Sequence, residues 1–411
     1  MRISGTPFTP RVAALVKSGT WSEWSTGEVV YLRPETFWDH GLEVAAMRDA
    51  AILEDKSPLE MYFFSGPDVV EYLQRLVIRD ISKMELRHAY YNAFCDDRGK
   101  LISDGLLFRM SEQQFCYTAS PLDVWYAQNA EGFAVTVENV TEEWGILHIQ
   151  GPASDDILAR AAGQDLSGLR FSRGTEIRLA SADVWVWRQG FTGERGFEFW
   201  IRAEDALDVW DALYAAGEPL GMMPLGDMAE DVGRIEAGLI LPVIDYTRAG
   251  PDSSTHSGDP TSPQHVQWEA TPEEMNIGRF VDFRKGDFAG RDALLAERQS
   301  GGPARRLVGL RIDGQDIAAQ QREQGVPPRV PQRWRFPLLP VRSEDGHVGY
   351  TNSIAWSPRV GGLIGLARIG TDSAEPGTNL FVDWNLAGST YEVGAVVSEL
   401  PFVEMKRRNE R

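Results

Sequence analysis

Cysteine is nearly absent from this chain of 411 residues: only Cys95 and Cys116 occur, each inside an apolar, strand-like segment. Thiols so placed read as buried and free, which excludes a disulfide scaffold. Histidine is also scarce. His40, His88, His148, His256, His265 and His347 never pair at metal-ligand spacing, so no metal site is expected. No run approaches the roughly 18 consecutive apolar residues that span a bilayer, and no membrane partner is expected. The opening Met1-Arg2-Ile3-Ser4-Gly5-Thr6-Pro7 lacks the apolar core of a secretory signal, so the expected location is cytoplasmic. Positive charge is in short supply: 41 Lys and Arg face 60 Asp and Glu, a net charge of −19. Such a field repels phosphate backbones, and nucleic acid is not an expected partner. Three common signatures are missing as well. There is no Gly-x-Gly-x-x-Gly after a strand, no phosphate loop ending in Gly-Lys-Ser/Thr and no Gly-x-Ser-x-Gly elbow. Their absence removes the familiar dehydrogenases, kinases and serine hydrolases.

What is present is a globular composition too long for one core, which predicts two or three domains. Residues 1–45 are rich in aromatics (Phe8, Trp21, Trp24, Tyr31, Phe37, Trp38) and poor in periodicity. From Glu43 the pattern sharpens. A helix is predicted over 43–53, a strand over 60–64, then the turn Ser65-Gly66-Pro67 and a helix capped by Asp68. Strands at 90–95, 101–110 and 114–118 form a meander around the turn Asp97-Arg98-Gly99-Lys100. A strand at 145–150, the turn Gly151-Pro152 and a helix at 154–162 then repeat the earlier strand-Gly-Pro-helix unit. Two such copies point to two related α+β units. Strands at 182–189 and 196–202 and a helix at 206–216 follow. Residues 249–272 read as a polar loop, 320–340 as a proline-rich irregular stretch, and the chain beyond about 305 as short strands of a small β-barrel.

Seven segments, in order, resemble the glycine cleavage T-protein (aminomethyltransferase) family. They are Ser65-Gly66-Pro67-Asp68, Asp97 to Asp104, Ile149-Gln150-Gly151-Pro152, Phe191 to Glu198, Arg234 to Leu239, Gly286 to Leu294, and Ser357-Pro358 through Leu366-Ala367-Arg368. The resemblance implies an α+β, three-domain cloverleaf fold: two interwoven α+β domains and a C-terminal β-barrel. The boundaries it implies are 1–54 with 143–248 for a folate-binding domain, 55–142 with 249–304 for a second, and 305–411 for the barrel. It also implies tetrahydrofolate as cofactor, received in a central hole.

Asp104 matches the family's catalytic aspartate, the second acid of an Asp-Asp pair whose first member here is Ser103. A carboxylate near folate N5 can orient it or handle its proton; the alternative is a turn aspartate paired with Arg98 or Lys100. Glu198 matches the glutamate that accepts the pterin's N–H groups, a role suited to bidentate acceptance. It alternates with Phe197 and Phe199 and so points to the opposite face. Phe191 replaces a family tyrosine in the cofactor site. Arg291 could meet a folate carboxylate or cap a helix, Arg234 packs under the folate, and Glu236 reads as structural. Arg33 and His40 read as surface groups that could also neutralise a substrate carboxylate.

The departures shift the expected reaction. A T-protein carries Ala-Arg-Asp where this chain reads Ala229-Glu230-Asp231. The net charge of −19 disfavours an acidic lipoyl-carrier protein as partner. Leu241-Pro242 followed by Tyr246, together with Val29-Val30-Tyr31, resembles the folate-dependent O-demethylases of methoxylated aromatic acids. An aryl ether leaves as a phenoxide and benefits from a hydrogen-bond donor, which makes Tyr31 and Tyr246 catalytic candidates. The expected activity is therefore methyl transfer from a small methylated donor to tetrahydrofolate. The alternatives are aminomethyl transfer and demethylation of a methylated amine or sulfonium compound.

Overall fold

A computed structural model describes residues 2–26, 29–251, 268–325, 327–386 and 389–408. Most of the polar loop expected at 249–272 therefore lies outside the described residues.

Three sheets and a closed barrel organise the described residues. The N-terminal aromatic segment folds into a small sheet in which Val29–Pro34 lies between Arg2–Ser4 and Trp21–Thr26. Ile52–Asp55, Trp144–Gln150 and Gly196–Arg202 belong to a six-stranded sheet, whereas Glu60–Ser65, Ala89–Cys95, Leu101–Ser111 and Gln114–Ala119 belong to a five-stranded one. The chain leaves the first sheet, builds the second, and returns.

Alternation explains how the two sheets pack. Along Gly196–Arg202, Phe197, Phe199 and Ile201 are fully buried against the helices Ser154–Ala162 and Ala206–Gly217, through Ile157, Leu158, Val209, Trp210 and Leu213. Glu198 and Trp200 point the other way. On that face Trp200, Trp187 and Phe108 pack between the sheets, with Phe108 ring centroids 4.5 Å from Trp200 and 4.7 Å from Trp187. Burying each such ring contributes about 1.5–3 kcal/mol. Cys116 lies in this layer and Cys95 in the central core; both are free and buried, as expected.

The repeated unit is present in both sheets. Glu60–Ser65 runs into Val69–Leu76 through Gly66, and Trp144–Gln150 runs into Ser154–Ala162 through Gly151. The two glycines have nearly the same φ, 132° and 133°. A side chain at either would strike a backbone carbonyl: Ala134 O at 2.3 Å from a Cβ at 66, Ala50 O at 2.6 Å from one at 151.

The C-terminal region closes into a six-stranded barrel filled by Leu310, Leu339, Val341, Ile354, Ile369 and Val382. The stretch expected to be irregular, 320–340, is so only in its middle: it opens in the end of a helix, Gly314–Glu323, and closes in an eleven-residue strand, Arg333–Ser343. Of the strand's two prolines, Pro337 falls in a break in register between Arg335 and Leu339, whereas Pro340 stays in the ladder opposite Tyr350. Among the described residues, no helix is long and apolar enough to cross a membrane.

Candidate active site

Asp104 projects from Leu101–Ser111 of the five-stranded sheet and Glu198 from Gly196–Arg202 of the six-stranded sheet; both line one cavity of about 700 Å³. Asp104 is buried, and each of its oxygens accepts a tyrosine hydroxyl: Oδ1 from Tyr246 at 2.5 Å and Oδ2 from Tyr91 at 2.6 Å. Burial pushes its carboxyl up to about 6, against the pull of the two hydrogen bonds. The result is a carboxylate at neutral pH that is still within reach of a proton. The pairing with Arg98 or Lys100 is not made: Arg98 turns to Asp96 and Glu269, and Lys100 lies 3.7 Å from Glu274.

Glu198 is held from both sides. Trp200 Nε1–H donates to Oε1 at 2.6 Å. His148, directly across on Trp144–Gln150, donates from Nε2 to Oε2 at 3.0 Å. Each oxygen keeps a further lone pair for a ligand N–H. His148 was not singled out in the sequence. Its role depends on the pairing register, which no local motif encodes.

Beside Glu198 the cavity wall is charged yet internally compensated. Arg33 is buried, not a surface group, and contacts Glu54 at 2.8 Å, Glu230 at 2.9 Å and Asp227 at 3.4 Å. Lys56 pairs with Glu54 and Glu230. Burial, then the neighbouring Glu230, drives the Glu54 carboxyl upward, whereas Lys56 and Arg33 hold that of Glu230 low against its burial. Glu54 Oε2 and His148 Nδ1, 3.8 Å apart, have no hydrogen-bond partner among the described residues. Phe191 lines the cavity with the Lys56 ammonium 5.5 Å from its ring centre. Of the six N-terminal aromatics, only Trp24 lines it, under Arg33 and Lys56.

Other expected site residues lie elsewhere. Tyr31 borders a separate, smaller hollow with Thr6, Ser57 and Thr141 and does not line the main cavity. Tyr246 is fully buried behind Asp104, and its proton is committed to that carboxylate. Neither is placed to assist a departing phenoxide. Arg291 begins the helix Arg291–Gln299 and pairs with Asp292 at 3.0 Å, outside the cavity lining. Arg234 is fully buried and spent on Asp231, Asp245 and Ser353, so it supports the wall without reaching the cavity. Glu236 pairs with Arg48 and is structural, and His40 meets Gln332 at the surface.

Two family models match the chain: the GCVT N-terminal domain over residues 16–250 and the glycine cleavage T-protein C-terminal barrel domain over 305–404. An aminomethyltransferase of Saccharopolyspora erythraea is 31% identical over 382 residues, covering 92% of each chain. One from Listeria welshimeri is 32% identical over 347 residues, covering 83% of this chain and 84% of the other. The crystal structure of the glycine cleavage system aminomethyltransferase T from Bartonella henselae superposes with a TM-score of 0.78 at 22% identity, over 98% of this chain and 99% of that one, which establishes the fold. Fold and relatives together define a one-carbon transferase. The chain belongs to the glycine cleavage T-protein family, whose members use tetrahydrofolate.

Proposed function

We propose that the protein moves the carbon of an aminomethyl donor onto tetrahydrofolate, releasing ammonia. One observation carries this reading: Asp104 meets the cavity as a proton acceptor, while both tyrosines offered by the sequence as donors to a leaving oxygen are engaged or remote. That favours loss of an amine over cleavage of an aryl ether. The cavity's donor set fits the folate. Glu198 keeps free lone pairs for the amino and ring N–H groups of the pterin, Phe191 supplies a ring beside it, and Asp104 lines the same space. When bound, tetrahydrofolate supplies the two nitrogens that take up the carbon.

Asp104 accepts a proton from an attacking nitrogen and returns it to the departing amine. Tyr91 and Tyr246 hold its two oxygens in place during that exchange. His148 and Trp200 fix Glu198 so that ligand binding need not order it. The protons balance: the two given up at nitrogen leave on ammonia and on the donor's other leaving atom.

A second reading keeps the same cofactor but takes a methyl group from a small methylated donor, giving 5-methyltetrahydrofolate. The net charge of −19 favours it, because an acidic lipoyl-carrying protein would be repelled at long range. Incubation with tetrahydrofolate and either an aminomethylated lipoyl carrier or a panel of methylated amines, sulfonium acids and aryl methyl ethers separates the two. Ammonia with 5,10-methylenetetrahydrofolate supports the first; a product of 5-methyltetrahydrofolate mass from a small donor replaces it with the second.

A further inference from the structure

Three ionisable side chains stand in a row across adjacent strands of the six-stranded sheet. His148 on Trp144–Gln150 pairs with Glu198 of Gly196–Arg202 on one side and with Glu54 of Ile52–Asp55 on the other. Residues paired in this way project from the same face of a sheet. Glu54, His148 and Glu198 are 1, 4 and 2% exposed, so each needs partners within the protein. His148 and Glu198 line the main cavity, and Glu54 does not. It stands behind the imidazole, its Oε2 facing Nδ1 at 3.8 Å. Among the described residues, neither of these two atoms has a hydrogen-bond partner.

Counting hydrogens fixes what the row requires. The Glu198 carboxylate offers only lone pairs, so the His148 Nε2 that meets it at 3.0 Å carries a hydrogen. A neutral imidazole has one N–H, which leaves Nδ1 with a lone pair aimed at Glu54. An ionised Glu54 would set lone pair against lone pair in a buried site, where unpaired polar atoms cost most. One proton, on Glu54 Oε2 or equally on Nδ1, satisfies the whole row. The surroundings favour keeping it. Burial, then Glu230 of the helix Asp227–Glu236, pushes the Glu54 carboxyl up to about 8, against the pull of Lys56 and of Arg33 from the N-terminal sheet. Arg33 is itself held by Asp227, which also answers Arg335 of the barrel. From the five-stranded sheet, Cys116 contributes a thiol that burial, then the charge of Glu198, keeps protonated.

We propose that Glu54 is a positioning residue for Glu198: one proton held between its Oε2 and His148 Nδ1 keeps the imidazole N–H turned toward Glu198 and that acid ready for the pterin. The inference rests on the folate reading above for its ligand. Loss of the proton leaves two carboxylates competing for a single imidazole N–H, and Glu198 gives up part of its anchor. Folate affinity is thereby tied to a group outside the cavity. The proton is present below the Glu54 midpoint and lost above it, so binding weakens as pH rises through about 8.

Calorimetry of tetrahydrofolate binding to the full chain, from about pH 6 to about pH 10, tests it. The parent should lose roughly 3- to 10-fold in affinity across the basic limb. Glu54→Ala should show that loss already at neutral pH and have no limb. Glu54→Gln, whose amide can donate to Nδ1 at every pH, should rescue the neutral affinity and still have no limb. A second readout needs no ligand. The ring nitrogens of isotopically labelled His148, assigned in NMR spectra by their loss from His148→Gln, should titrate in the parent with the midpoint of the limb and stay fixed in Glu54→Gln. A limb that survives in Glu54→Gln, a parent affinity flat with pH, or His148 nitrogens indifferent to residue 54 would each overturn the proposal. Failure of tetrahydrofolate to bind the parent would instead overturn the folate reading, and the His148 titration would still decide whether Glu54 governs the imidazole.

Discussion

With its carboxyl at about 6, Asp104 is mostly ionised at pH 7 and protonated by pH 5. A reaction that needs it as an acceptor therefore declines as pH falls through about 6. Tyr246→Phe removes a hydrogen bond that favours the ionised form, so the acidic limb of the rate profile moves to higher pH; an unmoved limb would remove Tyr246 from this role. Asp104→Asn is expected to bind tetrahydrofolate within about threefold of the parent while turnover falls about 10²–10⁴-fold, a separation read by calorimetry beside single-turnover kinetics. Glu198→Gln should do the converse, weakening folate binding about 10- to 100-fold, because a charge-assisted acceptor becomes half donor. Both acids were legible in the sequence because they sit in flanking patterns and, for Glu198, in a strand alternation. Tyr31 and Tyr246 were legible only as residue types. Which way a hydroxyl points is decided by packing between segments as distant as residues 104 and 246.

Strand and helix periods revealed most elements because one face of each is buried against a single neighbour. Ser154–Ala162 and Gly196–Arg202 fall where the pattern put them. Arg333–Ser343 did not, because its prolines mask the strand, although Pro337 falls in a break in register and Pro340 keeps its place opposite Tyr350. The small N-terminal sheet was also hidden. In Val29–Pro34 five of six residues are buried or half-buried, which erases the alternation on which a strand is recognised. The two Gly-Pro turns give a test at this scale. Gly151→Ala places a methyl group against the Ala50 carbonyl at a φ reserved for glycine. It should cost about 1–3 kcal/mol, read from the urea midpoint at constant slope; an unchanged midpoint would mean that the turn relaxes freely.

At the scale of the whole molecule, the buried charges join parts that the sequence keeps far apart. Arg33 of the N-terminal sheet, Glu54 of the six-stranded sheet, Asp227 and Glu230 of the helix Asp227–Glu236, and Arg333 and Arg335 of the barrel form one network. In the sequence, Glu230 stands as an acid where the family carries an arginine. In the fold it is the counter-charge that lets Arg33 and Lys56 lie buried in the cavity wall. Glu230→Arg would remove the carboxylate that Arg33 and Lys56 share and set a third cation beside them, and should destabilise the protein by about 3–5 kcal/mol, visible as a lower midpoint in denaturant melts. A variant as stable as the parent would show that the network contributes little.

The most direct test of the account is a crystal structure of the protein with tetrahydrofolate. The account predicts pterin N–H groups on the free lone pairs of Glu198, with Asp104 facing the ring nitrogen that takes up carbon. A pterin bound away from Glu198, or one whose reactive nitrogens face away from Asp104, would contradict it.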